Sequence, residues 1–350
     1  MHEVVAPSHS ATFACASLAA LALLSLPAVA RAQCSTATPT PTVETWAAAK
    51  VKSNGANITI YTGPTDRGAQ LQITPGIGNA LWVASTSASA IMKFSTKGKA
   101  TLYATPSANA SPEAIAANGK AMFFTEWNTG CAGSIGASGT ITEFPTGVSP
   151  NKSTGMVTGP NKTTWFVTDY NGIGRITGKD KVSIFPFPDD TNNPTAITLG
   201  PDGNIWFIEN TGPNIGIVTP NGKITEHATG LGNAYSFGIA TGSDGRVWFA
   251  DNGDNSIGAM DATTFTVTNY TTGFTGDPIS IVAGPDGNLY FGETTPVVGR
   301  ITPQGVVTEY PFTASEGTFP ILSLAVGPDG NIWFANNSHS QVGVLHLPIK

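Results

Sequence analysis

Acidic side chains recur at one place in a repeated aromatic word. Glu126, Glu209, Asp251 and Glu293 stand three residues after Phe123, Trp206, Trp248 and Tyr290, and the other copies carry Ser85, Thr168 and Asn336 there. Carboxylates gathered from several copies offer oxygen ligands to a hard cation such as Ca²⁺. The second reading is architectural: strand alternation puts this position on the face of the Phe two residues earlier, where a carboxylate accepts backbone N–H groups of the neighbouring sheet. A residue that recurs with the repeat favours architecture. Glu113 breaks the pattern of its own repeat position and shares a copy with Glu126, Trp127 and Cys131; it stands either as a base or ligand, or as a solvated carboxylate at a loop end. Asp169 is the second weak catalytic candidate. His227, His339 and His346 include no pair at metal-ligand spacing, so no metal site is assigned.

The elements that must position these groups follow from the period. Trp82, Phe123, Trp165, Trp206, Trp248, Tyr290 and Trp333 are 41, 42, 41, 42, 42 and 43 residues apart. Seven copies of about 40–45 residues are the signature of propeller blades. In the fourth copy AITLG, IWFIE, IGIVT and KITEH are strands, separated by PDGN, an Asn/Gly-rich loop and Asn221-Gly222. Pro presets φ for a tight turn, and Gly supplies the positive φ that closes a hairpin. The sequence therefore predicts an all-β, seven-bladed propeller of four-stranded blades over 57–350. The last copy lacks a fourth strand, and Asn57–Pro64 has the pattern of one. That segment is expected beside Val342–Leu347, hiding an edge that would otherwise invite aggregation.

The repeat GPDGNIWF, followed by an IG step and a GKITE strand, resembles that of the virginiamycin B lyase, or streptogramin lyase, family over Asn57 to the end. The resemblance implies elimination of a streptogramin lactone with Mg²⁺, with two His acting two residues before the Ile of the first strand in two repeats. The corresponding residues here are Leu71, Glu113, Thr154, Thr195, Phe237, Ile279 and Leu322. None is His, and abstraction of a carbon-bound proton needs accessible basicity. The family's further acid, one place beyond the fourth position, is matched in type only by Asp169, in a different copy. The expectation is a ligand- or partner-binding module whose central mouth carries those seven residues, apolar on the side of Phe237, Ile279, Leu322 and Leu71 and polar on the other. The alternative is a lyase with a divergent, Mg²⁺-assisted site on Glu113 and Asp169. A lactonase-type metal propeller would need Glu, Asn and Asp converging in the channel.

Composition bounds the rest. The chain has 350 residues, a net charge of −6 and 11% charged residues, an acidic balance that gives no footprint for nucleic acid. Residues 1–32 read as an export signal: Ala11–Pro27 is apolar, too short to span a bilayer, and is followed by Ala28, Ala30 and Ala32. An extracytoplasmic monomer is expected. Residues 33–56, rich in Ser, Thr, Pro and Ala without strand alternation, read as a linker. Cys34 and Cys131 remain after cleavage. They allow one bond, which nothing else in the sequence supports, and Arg31-Ala32-Gln33 argues against lipidation of Cys34.

Overall fold

The computed structural model describes residues 34–64, 70–148, 155–168, 172–178, 180–187, 193–210, 214–231, 238–313, 320–336 and 340–348. Seven antiparallel sheets follow one another along the chain: blade 1, Gln70–Ala104; blade 2, Pro112–Pro145; blade 3, Met156–Phe185; blade 4, Pro194–Ala228; blade 5, Gly238–Tyr270; blade 6, Pro278–Pro311; blade 7, Ser323–His346. The first strand of each blade lies against that of the next, and blade 7 against blade 1, so the ring is closed. Ala56–Thr62 is the fourth strand of blade 7, with Tyr61 opposite Val342 and Ile58 opposite Leu345. The closing strand foreseen from the sequence is therefore in place.

Burial explains why no blade stands alone. The first aromatic residue of each blade packs against the second residue of the word in the next: Trp82 with Phe124, Phe123 with Phe166, Trp165 with Phe207, Trp206 with Phe249, Trp248 with Phe291, Tyr290 with Phe334. Trp333 with Val83 completes the circle across the closing seam. Each such ring is worth about 1.5–3 kcal/mol when buried, and a separated blade would leave these faces wet.

The acid of each PDG turn is structural. Asp202 and Asp329 accept the indole N–H of Trp206 and Trp333, each at 2.9 Å, and Asp286 accepts the hydroxyl of Tyr290 at 2.9 Å. Thus the turn sequence orients the aromatic residue that fills the gap between blades.

Within the expected linker of 33–56, residues 34–56 carry strands. Thr36–Ala37 pairs with the outer strand of blade 2, Thr42–Thr45 with that of blade 1, and Ala47–Ser53 with Ala56–Thr62 in blade 7. This belt adds a fifth strand to three successive blades. It shows no alternation because an outermost strand is wet over most of both faces and is held by main-chain pairing, which leaves no apolar pattern to read. Trp46, only 3% exposed, is its anchor, edge-on to Phe94 at 5.1 Å. At the far end the belt is bonded covalently, Cys34 to Cys131.

No helix among the described residues is long and apolar enough to cross a membrane.

Candidate functional site

The first strands of the blades surround a central cavity of about 430 Å³, with Ile73, Ile197, Ile239, Ile281, Leu322 and Leu324 in its wall and, among the described residues, no charged side chain in its lining. Side-chain hydrogen bonds fix these strands to one another. Gln72 accepts the N–H of Ile115 at 2.7 Å, Ser323 accepts that of Ile73 at 3.1 Å, Thr241 donates to the carbonyl of Leu199 at 2.6 Å, and Ser280 donates to that of Ile321. The wall thus spends several of its polar side chains on its own backbone, and its surface is a mixture of polar and apolar groups.

At the head of the first strand four of the seven mouth positions share a feature the sequence does not announce. Pro194 pairs with Glu209 and Ala196 with Ile208, so Thr195 is an extra residue. The same shift isolates Leu71 between Gln70 and Gln72, and Ile279 between Pro278 and Ser280. Glu113 lies in the corresponding irregularity of blade 2. A bulge kinks its strand and re-aims the side chain it carries, which makes these places natural seats for function. Glu113, Thr195 and Ile279 are 4%, 7% and 7% exposed. Glu113 is therefore not the solvated loop-end carboxylate that the sequence allowed. Thr195 donates to the carbonyl of Ile208 at 3.5 Å, and Leu322 borders the central cavity. Thr154, Phe237 and Asp169 lie outside the described residues, as does the side chain of Leu71.

The recurrent carboxylates hold loops, Glu293 the one entering its blade and Glu126 and Asp251 the one between second and third strands of their own. Glu293, fully buried, accepts the N–H of Gly276 at 2.8 Å from the loop entering its blade, and Glu309 accepts that of Thr275 at 2.7 Å. In blade 2, Glu126 accepts the hydroxyl of Thr129 at 2.6 Å, while Glu143 accepts the N–H of Ser107 and of Ser35, each at 3.1 Å. Each pair spans the second and fourth strands of one blade. Burial, then the partner carboxylate, pushes the Glu126 carboxyl up to about 9 and that of Glu293 up to about 8. Asp251 accepts the N–H groups of Gly253 and Asp254, and burial raises it to about 6. Among the described residues no three His, Cys, Asp or Glu converge on a point that would hold a metal ion.

These carboxyls make stability fall as pH rises. The native state keeps the protons of Glu126 and Glu293 up to about pH 9 and 8, whereas the unfolded chain releases them near 4.5, the ordinary value of a glutamate. Between those limits the unfolded state binds fewer protons, so unfolding becomes easier with increasing pH. Urea unfolding at pH 5 and pH 8.5 should differ by more than about 1.4 kcal/mol, the worth of one pKa unit. Glu126→Gln together with Glu293→Gln should flatten that difference; a slope that survives both would refute the assignment.

Comparison with known proteins decides the relationship. The virginiamycin B lyase family model matches residues 40–275, more than half of the chain. The chain belongs to the virginiamycin B lyase family. A streptogramin B lyase structure superposes with TM-score 0.75 at 26% identity, covering 83% of this chain and 97% of that one. Virginiamycin B lyase from Staphylococcus aureus gives TM-score 0.75 at 27% identity, covering 88% and 100%. A catalytically inactive His-to-Ala variant of that lyase, with quinupristin, gives 0.75 at 26% over the same shares. No curated protein matches. At the seven positions where the resemblance implies His in two repeats, this chain carries none.

Proposed function

We propose that this family member is an exported binding module that holds an amphipathic ligand, or a partner's side chain, at its central mouth without opening a lactone. The observation that carries this reading is the set Leu71, Glu113, Thr154, Thr195, Phe237, Ile279 and Leu322 where the resemblance implies catalytic His. Six of the seven offer no basic side chain at neutral pH. The mixed polar and apolar wall of the central cavity, which Leu322 borders, supports an amphipathic ligand, and the Cys34–Cys131 bond suits the oxidising compartments reached by export.

The test is a calorimetric titration with quinupristin, the ligand named for the relative. Binding is expected, and Phe237→Ser with Ile279→Ser should weaken it at least tenfold, since each removes a large apolar surface. Binding unchanged in the double variant would remove the mouth from the account.

The second reading keeps the family's elimination, with Glu113 as base, Asp169 as a further acid and Mg²⁺ supplied from solution. The place of Glu113 at a strand irregularity, where the resemblance implies His, favours it over Glu126, Glu209, Asp251 and Glu293, which are buried at least as deeply. It requires Glu113→Gln to abolish a measurable ring opening.

A further inference from the structure

The turns that join third to fourth strands lie on the same side of the ring as the PDG turns. There, guanidinium groups link consecutive blades. Arg175 of blade 3 donates to the carbonyl of Pro220, in the blade 4 turn Thr219–Gly222, and Arg246 of blade 5 donates to that of Pro303, in the blade 6 turn Thr302–Gly305. Arg300 occupies in blade 6 the place of Arg175 in blade 3, one standing opposite Tyr290 and the other opposite Trp165. The next blade is blade 7, whose third and fourth strands come from opposite ends of the sequence, so no turn joins them.

Arg300 is thus left without the carbonyl that its counterpart holds. Its Nη2 donates to Thr308 at 3.3 Å, and no ion pair engages it among the described residues; its buried Nε has no hydrogen-bond partner, as that of Arg175 has none, so what separates the two is the carbonyl that Arg175 holds. Beside it an open groove of about 1620 Å³ runs along Tyr310, Val51, Asn54, Leu345 and Leu347. That exceeds the roughly 300–1,000 Å³ usual for a small-molecule site and suits a segment of several residues.

We propose that this groove receives a turn of a partner polypeptide, whose backbone carbonyl Arg300 takes as Arg175 takes that of Pro220. The apolar wall of Val51, Leu345 and Leu347 packs the side chains of the incoming turn. The site lies on the opposite side of the ring from the mouth and does not depend on what binds there.

A labelled synthetic peptide with the sequence of residues 217–225, IVTPNGKIT, is the probe. Added to the full chain, it should give a saturable anisotropy change, at least fivefold weaker in Arg300→Gln and intermediate in Arg300→Lys, with melting temperatures unchanged. Should Arg300→Gln not fold, Arg300→Lys and side-chain nitrogen shifts of Arg300 in the wild type carry the test. Absence of saturation, or equal affinity in the Arg300 variants, overturns the proposal. Saturable binding of acetate at Arg300 without binding of the peptide also overturns it, and assigns the groove to small anions.

Discussion

Gly216→Met is expected to destabilise the protein by about 3 kcal/mol or more, at or beyond the upper end of ordinary overpacking costs. A Cβ built on Gly216 would sit 1.9 Å from Cζ of Phe207, a ring buried without exposure between blades. The same conflict recurs at Gly133, Gly174, Gly258, Gly299 and Gly343, each opposite the Phe of its own blade. Blade 1 solves the problem in the other direction: its second position is Val83, and opposite stands Met92. The volume lost by the ring is returned by the longer side chain on the neighbouring strand. Phe207→Val alone should cost about 2–4 kcal/mol through the cavity it leaves. The double variant Phe207→Val with Gly216→Met, which copies blade 1 into blade 4, should be less unstable than the sum of the singles by at least about 1 kcal/mol. Strictly additive effects in a denaturant double-mutant cycle would show that the two positions do not share one space.

Cys34→Ser should cost up to about 4–5 kcal/mol on the chain-entropy account, because the bond closes a loop across 97 positions of sequence. The loss is expected to be local first. Cys34 is partly exposed, so its hydroxyl replacement introduces no buried polar group, and the damage falls on the belt that the bond retains. Amide exchange should accelerate at Thr36–Ala37 and Thr42–Thr45, which pair by main chain alone with the rims of blades 2 and 1. Glu143 would lose the N–H of Ser35 at the same time. Equal melting temperatures for the variant and the wild type would mean that strand pairing, rather than the covalent bond, retains the belt.

What could be read before the structure follows a physical division. The aromatic word, the PDG turns and the Asn-Gly hairpins were legible because burial and positive φ demand particular residue types at fixed spacing. The closing strand was legible because its pattern is that of a fourth strand, although Ile58 and Ile60 are buried more deeply than the fourth strands of blades 3 to 6, which carry no belt. The belt was not, since Thr42–Thr45 and Ala47–Ser53 need only a backbone and a wet environment. The bulges at Leu71, Thr195 and Ile279 were hidden as well. One residue inserted opposite a strand changes register without changing composition. The carboxyl pairs were half visible: the period marked Glu126 and Glu293, but their partners Glu143 and Glu309 sit in outer strands where an acid usually means solvent.

The most direct test of the account is incubation of the purified protein with quinupristin and Mg²⁺, followed by chromatography. Elimination breaks the ester C–O bond and moves one proton within the ring, so a lyase would convert the peptide to a slower or faster eluting isomer of the same mass. With the mouth lacking His, the cyclic compound should persist unchanged while virginiamycin B lyase from Staphylococcus aureus consumes it in a parallel reaction. Appearance of the isomer with this protein, and its loss on chelation of the metal, would contradict the reading of a binding module.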